Sequence, residues 1–173
     1  MNSQQPASVG MQIKNISTPA LLVDLDAFEH NLQKLAQEVT DYGVRLRPHA
    51  KTHKSPDIAK QQVAMGAVGC CCQTLAEAEA LVAGGLRDIL ISNQVIGSEK
   101  IKRLALLAKQ ASISVCVDNV ENIVQLSNAA TANDVDIGVL VEVDIGMGRC
   151  GVPPGEPALI LAKQVDSFAN LRF

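Results

Sequence analysis

Short apolar runs of strand length alternate along this chain with stretches whose apolar positions recur at helical spacing. The runs are "LLVDL" (21–25), "VRLRP" (44–48), "VGCCCQ" (68–73), "DILISN" (88–93), "SISVCVD" (112–118) and "IGVLVEVDI" (137–145). A further run begins at "LRF" (171–173). Several carry apolar residues on both faces, the pattern of parallel strands covered by helices. Between them, Phe28, Leu32, Leu35 and Val39 predict a first helix with one buried face. Helix starts are expected where a capping oxygen precedes a carboxylate by three residues, at Asp26/Glu29, Thr74/Glu77 and Asp118/Glu121. Ser55-Pro56-Asp57 offers an N-cap, a first-turn proline and an acid in the positive first turn. Gly66 and Gly84-Gly85 are the expected stops.

Strand starts near 44, 67, 88 and 112 make each unit one strand plus one helix. A series of such units builds a doubly wound sheet or a (β/α)8 barrel. A complete barrel needs about 250 residues, so the 173 residues here predict a partial one. The expected layout is a flexible leader over 1–16, a strand and entry helix over 17–43, and the first five to six βα units over 44–173. The carboxy-terminal barrel units and β-domain are expected to be absent.

Composition removes several classes of function. Fifteen Lys+Arg against eighteen Asp+Glu give a net charge of −3, with 2% aromatic residues, so the basic excess and stacking rings of a nucleic-acid binder are lacking. No apolar run is long enough to span a membrane, and the first fifteen residues lack the apolar core of a secretory signal. Cys70, Cys71 and Cys72 are adjacent, a spacing unlike zinc or redox motifs. They read as small buried residues of a strand in a protein of the reducing cytosol.

Two stretches carry candidate chemistry. "VRLRPHAKTHK" sets Arg45, Arg47, His49, Lys51 and His53 at alternate positions, followed by Lys54, and Pro48 implies a bulge that weakens the alternation. The stretch is either a solvated strand end or a site. In α/β sheets and barrels ligands sit beyond the carboxyl ends of the strands, where Lys51 falls. An amine surrounded by cations is more readily unprotonated, so Arg45, Arg47 and Lys54 could prepare Lys51 as a nucleophile. Such a lysine suits a Schiff base to an anionic aldehyde cofactor, pyridoxal phosphate being the obvious one. The second stretch, "GMGRCG", has dinucleotide-fingerprint spacing at Gly146, Gly148 and Gly151. Val152-Pro153-Pro154-Gly155, however, forbids the helix such a fingerprint must open. Its glycines instead suggest close backbone approach, with Arg149 aimed at a ligand.

"RPHAKTHK", followed by "CCQ", "ISN", "VCVDN" and "VEVDIGMGRCGV", resembles the amino-terminal part of the D-threonine aldolases. These are alanine racemase-like, fold-type III pyridoxal-phosphate enzymes, and the likeness runs from "TPALLVDLD" onward. It implies an α/β fold, a partial TIM-type barrel of the alanine racemase N-terminal type, with "LLVDL" in a separate β-domain. It implies that Lys51 carries pyridoxal 5'-phosphate and that Arg149 binds the phenolic O3′, where a permanent charge favours the phenolate. It further implies a metal-dependent lyase that cleaves a D-β-hydroxy amino acid to glycine and an aldehyde. The phosphate cradle and the ligands of a divalent metal would lie beyond residue 173, leaving this chain inactive alone. A D-serine or 3-hydroxyaspartate dehydratase, a racemase, or a cofactor-binding barrel without catalysis would share the same front half. A homodimer is left open.

The remaining candidates each have two readings. Gln73 and Asn93 end strands and either reach the cofactor or cap their own loops. His49 and His53 flank the lysine and either shuttle protons or pack. Asp118 reads as a helix cap, whereas Glu142 and Asp144 would hold basic neighbours. His30 reads as surface.

Overall fold

The computed structural model describes residues 7–173; the start of the expected leader, residues 1–6, lies outside the described residues. Within the rest of that leader a short 3-10 helix spans Ile13–Asn15. Helix α1 (Leu25–Asp41) and helix α2 (Pro56–Ala64) come before the first regular strand. Strands β1 (Cys70–Cys72), β2 (Asp88–Ile91), β3 (Ser112–Val117), β4 (Ile137–Val141) and β5 (Leu171–Arg172) then alternate with α3 (Leu75–Ala83), α4 (Ser98–Ala108), α5 (Val120–Asn133) and α6 (Glu156–Asp166).

All strand pairs are parallel and the spatial order is β1-β2-β3-β4-β5. A doubly wound sheet reverses its strand order at a switch point; here each strand lies beside its sequence neighbour, as in a barrel that has not closed. Burial says the same. Along β3, Ile113, Val115 and Val117 are fully buried, while Ser114 and Cys116 between them are only half-buried. The buried set joins Ile89, Ile91 and Val139 with helix residues Leu81, Leu104, Ile123, Leu126 and Val165 in one core. Each fully buried aliphatic side chain there contributes about 1.5–3 kcal/mol. The opposite face, with Cys71 half-buried and Leu140 exposed, is the inward side of the arc.

Several expectations need correction. "LLVDL" forms no strand: residues 21–24 are irregular, and Leu21, Leu22 and Val23 are exposed. A lone extended segment has no neighbour to satisfy its backbone. "VRLRP" is not a regular strand either. It runs beside β1, with Leu46 O accepting from Val68 N at 2.9 Å, Pro48 O from Cys71 N at 2.7 Å, and Cys71 O from Ala50 N at 2.7 Å. Pro48 has no N–H to give, so the ladder shrinks to a bridge at His49–Cys71. Helix α1 is less covered than its periodicity implied. Phe28, Leu32 and Val39 are half-buried and Leu35 is exposed.

Caps differ from expectation at two of four helices. Asp24, not Asp26, caps α1 by accepting from Ala27 N at 3.0 Å. Asn119, not Asp118, caps α5 through Glu121 N and Asn122 N. Thr74 and Ser55 cap α3 and α2 as their spacing predicts. The cysteine triplet is a strand with Cys70 and Cys72 fully buried, and burial pushes the Cys72 thiol up to about 12. A thiol so disfavoured as thiolate serves as a packing group.

Candidate functional site

At the carboxyl ends of the strands lies a cleft of about 340 Å³, lined by His49, Lys51, Gln73, Ser92, Asn93, Glu142, Arg149 and Cys150. These residues come from four units of the fold: the "VRLRP" segment and the ends of β1, β2 and β4. Two loops deliver its cations: one between the "VRLRP" segment and α2, the other between β4 and α6.

The first loop carries Lys51, which is exposed at the rim. Its backbone N–H donates to His49 Nδ1 at 3.3 Å, and the other ring nitrogen, Nε2, lies 3.1 Å from Ser92 Oγ. Ser92 Oγ in turn donates to Cys72 O at 3.2 Å. One proton arrangement satisfies all three contacts: Nδ1 bare, Nε2 protonated, the hydroxyl proton on the carbonyl. Burial first, and the charge of Lys51 second, hold the His49 pKa below its usual value. The ring is thereby a neutral strut that ties the lysine to the end of β2.

The surrounding cations do not crowd Lys51 as the alternation implied. Arg47 is 2.9 Å from Asp88 at the start of β2, Lys54 is 3.3 Å from Glu77, and Arg45 is exposed outside the cleft lining. Past the proline the chain turns, so side chains that alternate in sequence diverge in space. His53 also lies outside the cleft lining. Its Nδ1 accepts from Ser55 N at 3.0 Å, and burial lowers its pKa against the opposing pull of the neighbouring Gln62 side chain. Asn93 spends both ends of its amide locally, Nδ2 on Gln73 O at 3.3 Å and Oδ1 on Gln94 N at 3.0 Å. Gln73 lines the cleft beside His49, and its backbone N–H donates to Glu77 Oε2 at 2.8 Å.

The second loop is folded by carboxylates. Asp144 Oδ1 accepts from Gly146 N at 2.9 Å and Gly148 N at 3.1 Å, which holds its pKa below the usual carboxylate range. The chain then returns on itself: Asp144 N donates to Val152 O at 2.9 Å and Val152 N to Glu142 O at 3.0 Å. Gly151 sits in that return at φ +95°, where an added Cβ would lie 2.7 Å from Asp144 N and 2.9 Å from Val143 C. This is the close backbone approach its spacing suggested, made to the chain's own strand end. Asp118 Oδ2 accepts from Gly151 N at 3.0 Å and Glu142 Oε1 from the Cys150 thiol at 3.0 Å. Both acids hold loop N–H and S–H donors, where a helix cap and a basic partner were expected. Helix α6 opens only at Glu156, after the prolines, so the glycines form no dinucleotide fingerprint.

Ser92, Gln94 and Cys150 were missed by sequence reasoning. Ser92 and Gln94 stand on either side of Asn93 and share its strand-end position, the one signal that pointed to them.

Comparison with known proteins places the chain. The alanine racemase N-terminal domain family matches residues 23–173. The chain belongs to that family. It is 46% identical over 168 residues to a D-threonine aldolase of Arthrobacter sp, covering 97% of this chain and 44% of that protein. It is 45% identical over 170 residues to a 3-hydroxy-D-aspartate aldolase of Paracoccus denitrificans, covering 97% and 44%. The crystal structure of D-threonine aldolase from Filomicrobium marinum superposes with a TM-score of 0.95 at 50% identity, over 97% of this chain and 46% of that one. The chain therefore spans less than half the length of the relatives it matches. In this family the five-stranded parallel arc is part of a barrel.

Among the described residues no group of three or more His, Cys, Asp or Glu side chains is arranged to hold a metal ion. No helix among them is long and apolar enough to cross a membrane.

Proposed function

We propose that this chain is the cofactor-bearing part of a pyridoxal-phosphate-dependent lyase that cleaves D-β-hydroxy amino acids to glycine and an aldehyde. The observation that carries the reading is the convergence of Lys51 and Arg149 on one strand-end cleft. The two aldolase relatives support the substrate class, because their names share a D-amino acid bearing a hydroxyl on the β carbon. The five cysteines are all free, which supports a cytoplasmic, reducing setting.

The donor set fits the cofactor. Lys51 offers an exposed primary amine that can bond covalently to an aldehyde carbon, and Arg149 offers a permanent cation for an anionic oxygen. When bound, pyridoxal phosphate supplies an electron sink that stabilises a carbanion at the substrate Cα. The chain's own residues position and polarise. His49, with its Nδ1 filled and its Nε2 on Ser92, fixes the backbone of Lys51 and leaves the amine free to move. Asn93 and Gln73 shape the wall, the carboxamide of Asn93 being already engaged. Lys51 Nζ is the group in this cleft placed to return a proton. A divalent cation beside the substrate hydroxyl belongs to the same reading, but the described residues do not fit it. Its ligands come from elsewhere in the whole enzyme.

Borohydride reduction of the full-length protein with pyridoxal phosphate, followed by peptide mapping, tests the assignment. The label is expected on Lys51, and Lys51→Ala should lose both label and turnover. A label on another lysine overturns the assignment. Release of ammonia and an oxo acid from D-threonine, in place of glycine and acetaldehyde, overturns the aldolase reading.

A further inference from the structure

The cation of the second loop, Arg149, is exposed, and its side chain makes no hydrogen bond among the described residues. Its placement must come from the loop that bears it, through Gly148 before it, held by Asp144, and through the two residues after it. Each of those is gripped by one carboxylate: the Cys150 thiol by Glu142 and the Gly151 N–H by Asp118. The two carboxylates belong to different strand ends, Asp118 after β3 and Glu142 after β4. Two anions so close together repel unless a donor stands between them.

That donor is Gln94, at the end of the neighbouring β2. Its Nε2 donates to Glu142 Oε2 at 2.7 Å and to Asp118 Oδ2 at 3.1 Å. Its backbone N–H is pinned by Asn93 Oδ1 at 3.0 Å. One carboxamide thus links three successive strand ends and touches two anchors of the arginine loop. A hydrocarbon of equal length would pack as well but leave two carboxylates facing each other.

We propose that Gln94 is a positioning residue of the cofactor site: its carboxamide clamps Asp118 and Glu142 together, and through them fixes the loop that presents Arg149. The consequence for the cofactor rests on the reading above; the consequence for the loop does not.

A double-mutant cycle with a hydrogen-exchange arm separates the two, using full-length protein. Gln94→Met should weaken pyridoxal phosphate binding about tenfold, the scale of losing charge-assisted hydrogen bonds. In an Arg149→Ala background the same change should alter binding less than twofold, because the residue acts through that arginine. Without cofactor, the Cys150 and Gly151 amides should exchange at least about tenfold faster in Gln94→Met. Gln94→Glu, of equal size but adding a third carboxylate, should exceed Gln94→Met in both arms and replaces it if that variant does not fold. Additive effects in the cycle, or unchanged amide exchange, overturn the proposal. If the wild type binds no pyridoxal phosphate, the functional reading falls and the exchange arm alone decides the role of Gln94.

Discussion

The two loops that bring cations to the cleft are built in opposite ways. The lysine loop is held at its ends by backbone bonds, Ala50 N to Cys71 O and Lys54 N to Ala50 O. At Lys51 itself it is held by one neutral ring: a 3.3 Å contact from the Lys51 amide to His49, then a contact to Ser92. The arginine loop is laced by three carboxylates, a backbone return and a glycine that admits no side chain. An amine that forms and releases a covalent bond needs freedom, whereas a guanidinium that balances a fixed charge needs a fixed position. On the function proposed above, the lighter hold on Lys51 would suit the mobile amine and the denser lacing around Arg149 the fixed guanidinium.

The largest effect should come from filling the space the arginine loop denies. Gly151→Ala puts a Cβ against backbone atoms of residues 142–144 at positive φ, which should cost about 3 kcal/mol. Calorimetry of the full-length protein should show the fall in unfolding midpoint; an unchanged midpoint would mean the loop is as free as its partner. A smaller effect separates neighbours at the end of β3. Asn119→Ala should destabilise by about 1 kcal/mol as a lost helix cap and leave the Gly151 amide protected. Asp118→Ala should do the reverse, exposing that amide while α5 stays capped. Amide exchange read residue by residue distinguishes the two, and a shared response would remove Asp118 from the loop.

That pair also shows where sequence reading ran out. Strand and helix order was legible because apolar runs and turn residues act locally, and β3, β4 and β5 begin where their runs begin. Thr74 and Ser55 were legible as caps because capping is a bond across three residues. Asp118 met the same local rule and was claimed instead by Gly151, thirty-three residues onward. Lys51 and Arg149 were singled out by motif and position, and both line the cleft. Their supports, Ser92 and Gln94, act across 43 and 48 residues and leave no spacing to read. The alternation of basic residues misled in the same manner, since Arg47 turns to Asp88 across 41 residues. "LLVDL" looked like a strand because a short apolar run reports strand character and cannot report whether a neighbour is present.

The lysine loop should respond to mild acid. Because the folded His49 has a lowered pKa, the unfolded chain binds the extra proton first. The loop's share of stability is full above the unfolded value of about 6.5 and is lost as pH falls through the folded one. Protonation puts a hydrogen on Nδ1, which then cannot accept from the Lys51 N–H. Exchange at the Lys51 amide, corrected for intrinsic rates, should accelerate from pH 7.5 to 5.5. His49→Asn, which keeps an acceptor near Nδ1 and does not titrate there, should flatten that profile.

The smallest effect belongs to Asp144, and it sharpens the contrast because it lies much lower in pH. Its carboxylate accepts from Gly146 N and Gly148 N, and those donors depress its pKa. Stabilisation from a depressed carboxylate is present above the unfolded value of about 3.9 and lost as pH drops through the folded value. Across the window that loosens the lysine loop, the arginine loop should therefore hold its shape. Asp144→Asn keeps one oxygen acceptor and removes the charge, so it should leave exchange at Gly146 and Gly148 nearly unchanged at neutral pH. Below pH 4 the wild type should converge on the variant. If both loops loosened together near pH 6, the two would share one titrating group, and their separate construction would be wrong.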